Sequence, residues 1–135
     1  MILPPSVHSP AIARRFCDAV LGEVGCGADM TADARLVVSE LVTNAVLHAD
    51  TAIDLEVFLR DDGALRIEVT DLGSDRPQVW ARDDTRGRGL PIVAALASAW
   101  GIIDLGSGKT VWCELASAGA TAIGHAHRTD RPPTS

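Results

Sequence analysis

Three polar residues, Glu40, Asn44 and His48, recur at four-residue spacing in a mainly apolar stretch. Residues 37–48 contain neither Gly nor Pro, which predicts a helix carrying these side chains on one stripe. A helix this apolar is expected to be buried, and a buried carboxylate or amide costs free energy unless it is paired. A bound ligand or cation is a natural partner. On this helix alone, a solvated Glu and an Asn that satisfies a neighbouring backbone group explain the residues equally well.

Three short glycine-containing motifs lie downstream, each beside a predicted strand or helix end. Asp71-x-Gly73 follows an alternating strand, Gly87-Arg88-Gly89-Leu90 precedes a helix, and Gly108-Lys109-Thr110 begins the last strand. Glycine lets a backbone pass close to a ligand, and the first N–H groups of a helix can bind phosphate. Taken singly, each motif is weak, and Asp71 alone is better explained as a turn residue at a strand end.

The segment Gly106-Ser107-Gly108-Lys109-Thr110 imitates a phosphate-binding loop, but we reject that interpretation. The motif G-x-x-x-x-G-K-[ST] requires a glycine where Ile103 stands, and it requires a helix after the final residue. Residues 111–115 instead alternate in the manner of a strand. The lysine would therefore not lie at a helix N-terminus, where a phosphate site gains its favourable dipole.

In their order and spacing, these four pieces resemble the nucleotide site of the GHKL superfamily, which includes gyrase-type ATPases and sensor histidine kinases. The sequences of residues 39–48 and of Gly108-Lys109-Thr110-Val111-Trp112 resemble those of the small anti-sigma-factor serine kinases, a branch abundant in actinobacteria. The resemblance covers roughly residues 8–115. The loop 74–86 is short for the superfamily, so any lid over ATP is expected to be small.

The resemblance implies a role for each residue of the site. Asn44 would ligate Mg²⁺ through its amide oxygen, and Glu40 would be the general base that takes a proton from a serine hydroxyl or water. Asp71 would accept a hydrogen bond from the adenine amino group. Arg88 is equally well explained as a solvated residue, and His48 as a favourable residue at a helix C-terminus. The other implied nucleotide contacts are Gly73, Gly87, Arg88, Gly89, Leu90 and Thr110.

The function that the resemblance implies is an ATP- and Mg²⁺-dependent serine/threonine protein kinase that regulates transcription by partner switching. Such a kinase binds a sigma factor and phosphorylates a serine on an antagonist (anti-anti-sigma) protein, and a homodimer is compatible with it. The alternative is a non-catalytic, ATP-dependent protein-binding module. A fragment of a sensor histidine kinase is disfavoured, because no phosphoacceptor histidine lies in a suitable helix before the ATP domain.

The N-terminal elements are predicted from caps and breakers. Residues 1–5 read as a short strand, and Ser9-Pro10 as the cap and first residue of a helix. The glycines of 22–30 predict a loop. Thr31 is then the expected cap of the central helix, which should end near 48–50.

The remaining chain predicts a hairpin and a second strand pair around one helix. The predicted elements are strands 53–60 and 65–70 about the turn 61–63, a surface loop 74–86, a helix from 90 to about 100, and strands 102–105 and 110–115. This order predicts an α+β fold in which a mainly antiparallel sheet carries helices on one face, the Bergerat-type ATP-binding fold that the resemblance implies. We expect one domain over 1–116 and a disordered tail over 117–135.

Composition excludes several classes of function. The net charge of −6 and the lack of a basic stripe argue against direct binding to nucleic acid or to an acidic membrane surface. The three cysteines form no C-x-x-C pair and predict no disulfide, which favours a reducing compartment. No signal peptide or apolar run of membrane-spanning length is present, so we expect a cytoplasmic protein.

Overall fold

A five-stranded antiparallel sheet with three helices forms the part of the chain that the structure describes, residues 1–48, 50–71 and 90–117 of a computed structural model. The elements are β1 (Ile2–Leu3), α1 (Ser9–Val24), α2 (Ala28–His48), β2 (Ile53–Leu59), β3 (Leu65–Asp71), α3 (Leu90–Leu96), β4 (Ala99–Asp104) and β5 (Lys109–Leu115). The strand order is β1-β2-β3-β5-β4. The α+β prediction is confirmed. None of the described helices combines the length and hydropathy that a membrane span requires.

The core lies between the helices and one face of the sheet. Alternation along the strands directs Leu55, Ile67 and Cys113 to that face, where they are fully buried against apolar residues of α1 and α2. The turn after β2 follows its predicted chemistry, because Gly63 has φ 88° and the carboxylate of Asp62 accepts a hydrogen bond from the Ala64 N–H at 2.9 Å. The predicted hairpin is therefore confirmed.

The other face of the sheet also buries a charged residue, which alternation alone did not predict. Arg66 is 3% exposed, since its guanidinium lies 4.1 Å from the centre of the Trp112 ring. It also donates to Glu68 Oε2 at 2.9 Å and to Glu114 Oε2 at 2.7 Å. These ion pairs compensate for the loss of water around the arginine.

Three predicted boundaries at the helices were wrong. His8 rather than Ser9 is the cap of α1, because the Ser9 hydroxyl is buried and donates instead to the Pro4 carbonyl at 2.6 Å. Helix α1 continues through Gly22 to Val24, and the next residue, Gly25, forms a left-handed cap with φ of 75°. Helix α2 begins at Ala28, so Thr31 lies inside it and its hydroxyl donates to the Gly27 carbonyl at 2.9 Å.

Two further expectations fail for physical reasons. Helix α3 ends at Leu96 and β4 already begins at Ala99, because Ser98 donates to the Glu114 carbonyl and aligns the chain with β5. An apolar run of this length does not by itself distinguish a helix from a strand. Helix α2 is not buried all round, since Leu47 is 58% exposed. The predicted loop 74–86 and all but the first residue of the predicted tail lie outside the described residues.

Candidate functional site

The ends of a helix and several strands lie at one end of the sheet, which we call the Asp71 end. There β3 ends at Asp71, which lies in register with Ile53 at the start of β2 and with Lys109 at the start of β5. Helix α2 ends at His48, only five residues before Ile53, so its last turns lie toward this end of the sheet. The fold therefore places the last turns of α2 and the paired ends of β3 and β5 toward the same end of the sheet.

Asn44 carries a buried oxygen atom without a partner. Its side chain is 3% exposed, and its Oδ1 accepts no hydrogen bond from any described residue. Glu40 lies one turn earlier on the same stripe of α2 and is half-buried. A carboxylate and a hard amide oxygen, the kind of ligand that Mg²⁺ prefers, thus occupy adjacent turns of one helix face.

Asp71 is the second buried acceptor. Its side chain is 3% exposed, and its Oδ1 likewise lacks a hydrogen-bond partner within the described ranges. Its other oxygen, Oδ2, lies 3.6 Å from the ammonium nitrogen of Lys109. Buried polar groups in folded proteins nearly always have a hydrogen-bond partner, so a matching donor from a ligand would complete this site.

The structure does not bring Thr110 to Asp71. The Thr110 hydroxyl is 2.8 Å from the Thr70 hydroxyl, its neighbour across the β3–β5 ladder. Successive side chains of a strand point to opposite faces, so these threonines lie on the face away from Asp71. The residue that β5 brings to Asp71 is Lys109, to which the sequence interpretation gave no role in the site. The signal for it was the pairing of two strand ends, which depends on the register between β3 and β5.

The other predicted residues have different outcomes. Leu90 is the first residue of α3 and is 2% exposed, so it packs in the core. His48 lies in the last turn of α2, where a positive charge would interact favourably with the helix dipole. The predicted contacts Gly73, Gly87, Arg88 and Gly89 lie outside the described residues.

The donor set at the Asp71 end suits Mg²⁺ held together with phosphates. Within the described ranges, no group of three or more His, Cys, Asp or Glu side chains is arranged to hold a metal ion by itself. Mg²⁺ commonly takes only one or two protein oxygens and fills its remaining positions with water and phosphate oxygens. The single amide oxygen of Asn44 fits this mode of binding.

A cavity of about 330 Å³ lies at the opposite end of the sheet and does not belong to this site. It is formed by the connection between α1 and α2 and by the β2–β3 hairpin, with Val24, Met30 and Leu59 among its lining residues. Its mainly apolar walls offer no pair of catalytic groups. The chemistry of the described residues is concentrated at the Asp71 end.

Comparison with known proteins gives a matching family and a solved structure of similar fold. The model of the histidine kinase-like ATPase domain family matches residues 3–114. Comparison with curated proteins gives no match. The fold is similar to the crystal structure of the RsbU and RsbW domains of Rv1364c from Mycobacterium tuberculosis, with a TM-score of 0.67 and 24% identity over 87% of this chain. The present chain spans about a third of that protein chain (32%). A structural similarity at 24% identity is evidence for the fold alone.

Proposed function

Because this chain belongs to the histidine kinase-like ATPase domain family, we propose that it binds ATP at the Asp71 end of its sheet and phosphorylates a serine on a partner protein. The single observation that carries the proposal is the pair of buried oxygens without partners, Asn44 Oδ1 and Asp71 Oδ1. Each costs free energy in the unliganded protein and gains a partner when nucleotide is bound.

Asp71 is the residue that would recognise the base. An ionised carboxylate only accepts hydrogen bonds, so it matches the 6-amino group of adenine and repels the 6-oxo group of guanine. Asn44 would hold Mg²⁺ through its amide oxygen. When bound, Mg²⁺ would supply positive charge beside the phosphates of ATP.

Glu40 is the candidate general base. In the proposed transfer, the serine oxygen of the partner forms a bond to the terminal phosphorus, and the bond from that phosphorus to the bridging oxygen breaks to release ADP. Glu40 takes the proton of the serine hydroxyl. Its half-buried position, one turn from Asn44, suits a group that must be reached by a protein substrate.

The proposed partners follow from the small anti-sigma-factor kinase branch that the sequence resembles. In this proposal the protein binds a sigma factor and phosphorylates an antagonist of the same switch, and it thereby regulates transcription. The likeness to a solved pair of RsbU and RsbW domains supports a fold of this kind. The identity of the partners is then a question for binding experiments.

Single-turnover transfer from labelled ATP to candidate antagonist proteins tests the proposal. The Glu40→Gln variant keeps the shape of the side chain but removes its basicity, so the transfer rate should fall about 10²–10⁴-fold. ATP affinity should hold or rise slightly, because a negative charge beside the phosphates is removed.

Ser39→Ala is the matched control on the same turn of the helix. The Ser39 hydroxyl accepts a hydrogen bond from Arg14 Nη1 at 2.9 Å and has no role in the proposed transfer. Equal transfer rates in wild type and Glu40→Gln would place the base elsewhere. If the wild type binds ATP but transfers phosphate to no candidate, and partner binding depends on nucleotide but not on Glu40, the protein is a non-catalytic binding module.

A further inference from the structure

Asp71 and Lys109 form an ion pair inside the protein. The two residues are direct cross-strand neighbours at the last position of the β3–β5 ladder, and Lys109 Nζ lies 3.6 Å from Asp71 Oδ2. The side chains are 3% and 5% exposed. An ion pair at this depth is held in place by the register of two core strands.

Lys109 is the only lysine among the 135 residues, and its position is unusual for that residue type. Lysine is almost never fully buried unless it is paired. Asp104 is also in register with Lys109, but it is exposed and its carboxylate accepts a hydrogen bond from the Gly106 N–H at 2.8 Å. Of the two carboxylates beside Lys109 in the ladder, the buried one is therefore Asp71.

The ion pair gives the two oxygens of the Asp71 carboxylate different environments. Oδ2 faces the ammonium group, whereas Oδ1 is buried and lacks a hydrogen-bond partner among the described residues. The lysine therefore constrains one oxygen and leaves the other as an acceptor. This is the arrangement that recognition of an exocyclic amino group requires.

We propose that Lys109 is a positioning residue that sets the base specificity of the site, by holding Oδ2 of the buried Asp71 carboxylate so that Oδ1 is ready for the 6-amino group of adenine. The inference rests on the proposed nucleotide site. It gives a function to the lysine of a segment that only imitates a phosphate-binding loop, and it assigns that lysine to the base rather than to the phosphates.

Loss of the ammonium group should alter recognition in a defined direction. A buried carboxylate without a cation takes up a proton or turns toward water. A protonated carboxyl group has an O–H that can donate to the 6-oxo group of guanine. Removal of the charge should therefore weaken ATP binding and weaken the discrimination against GTP at the same time.

The first experiment measures the affinities of wild type and Lys109→Met for ATP, GTP and purine riboside triphosphate, which lacks the 6-amino group. In Lys109→Met the preference for ATP over each analogue should fall roughly 10- to 100-fold, the range for one hydrogen bond to a charged group. Lys109→Arg restores the charge and should retain the preference. Arg35→Met, which removes one positive charge from an exposed ion pair with Asp18, is the control for net charge.

The second experiment separates positioning from a merely structural role. In an Asp71→Asn background no carboxylate remains to be held, so adding Lys109→Met should leave the base preference unchanged. Thermal unfolding without nucleotide should show Lys109→Met destabilised and the double variant restored toward wild type, because the buried charge is removed together with its partner. If Lys109→Met fails to fold, the double variant in the Asp71→Asn background and the Lys109→Arg variant still allow the base preference to be compared.

An unchanged ATP preference in folded Lys109→Met would overturn the inference while leaving the proposed function intact. Tighter ATP binding in that variant would also overturn it, since the lysine would then compete with the base for Asp71. A wild-type protein that binds ATP and GTP equally, or binds neither, would refute the adenine site itself and the inference with it.

Discussion

Asn44 shows at the scale of one residue how a site can be recognised before its ligand is seen. Its amide oxygen is buried on the side of α2 that faces the apolar core, where no hydrogen-bond donor of the described residues reaches it. A buried acceptor without a donor costs about 1–3 kcal/mol. This cost is recovered when the oxygen binds a hydrogen-bond donor or a metal ion, which is the physical argument for nucleotide and Mg²⁺ at this position.

The corresponding prediction concerns Asn44→Ala. The affinity for ATP in the presence of Mg²⁺ should fall at least about tenfold, because one hydrogen bond or metal bond to a charged ligand is lost. The free energy of unfolding without ligand should change by less than about 1 kcal/mol, since loss of the unpaired oxygen offsets the small cavity. Calorimetry and denaturant titration measure the two quantities.

Thr43→Ala is the control for this prediction, because Thr43 precedes Asn44 on the same helix but is exposed. Its ATP affinity should equal that of the wild type. An Asn44→Ala protein that bound ATP with wild-type affinity would show that the amide oxygen does not contact the nucleotide or its metal.

The sequence singles out Asn44 by a local helical period, and it singles out Asp71 only through the family resemblance, because the local pattern there favours a turn residue. It could not name Lys109 as the neighbour of Asp71, because that contact depends on the pairing of β5 with β3 across some 40 residues of chain. The same register places Thr110 against Thr70. Cross-strand neighbours belong to topology and not to local pattern.

At the scale of elements, the connection between α1 and α2 explains why helix ends were the least accurate predictions. Three glycines within six residues indicate a break, yet only Gly25 has the left-handed backbone that ends α1. Gly22 has an ordinary helical backbone and lies on an exposed side. A glycine inside a helix costs only about 1 kcal/mol relative to alanine, which tertiary packing readily overcomes.

These two glycines therefore give opposite predictions for the same substitution. Gly22→Ala should stabilise the protein by about 0.5–1 kcal/mol, because alanine favours the helix and no atom beyond the adjoining residues and backbone of α1 lies within 4 Å of the added methyl group. Gly25→Ala should destabilise it by about 1–2 kcal/mol, since φ of 75° is unfavourable for any residue with a Cβ. Urea unfolding of both variants measures the difference. Shifts of equal sign would contradict the assigned end of α1.

The strands β3 and β5 are also joined on the outer face of the sheet, by the ion pairs of Arg66. Arg66→Ala should reduce the free energy of unfolding by about 2–4 kcal/mol, because Glu114 and Glu68 lose a buried partner and the stacking on Trp112 is lost. Arg35→Ala removes an ion pair with more than two fifths of each side chain exposed, and should cost less than about 1 kcal/mol. Equal costs would mean that Arg66 is effectively solvated.

At the scale of the whole molecule, alternating strands and a stripe of apolar residues in each helix were enough to predict an α+β fold. Ile53, Leu55 and Val57 alternate with polar residues, and the structure buries all three beneath the helices. The run from Leu90 to Leu105 was harder to divide, because apolar residues fill it whether it packs as helix or strand. There the boundary is decided by a tertiary feature, the hydrogen bonds that the Ser98 N–H and hydroxyl donate to the Glu114 carbonyl.

The core that this fold encloses should make stability depend on pH in the alkaline range. Burial raises the pKa of the Cys17 thiol from 9.0 to about 11 and that of Cys113 from 9.0 to about 12. Below about pH 8 both thiols are protonated in the folded and the unfolded chain, so they contribute no pH dependence. Between about pH 9 and 11 the unfolded chain loses protons that the folded chain keeps, so the free energy of unfolding falls as the pH rises.

The expected slope is up to about 1.4 kcal/mol per pH unit for each thiol. Few other groups obscure it, because the chain has no tyrosine and only one lysine. Urea unfolding under reducing conditions at pH 7, 8, 9 and 10 measures the slope, and the double variant Cys17→Ala, Cys113→Ala is the control that should flatten it. A wild type and a double variant with the same slope would mean that the two thiols ionise as readily in the folded core as in the unfolded chain.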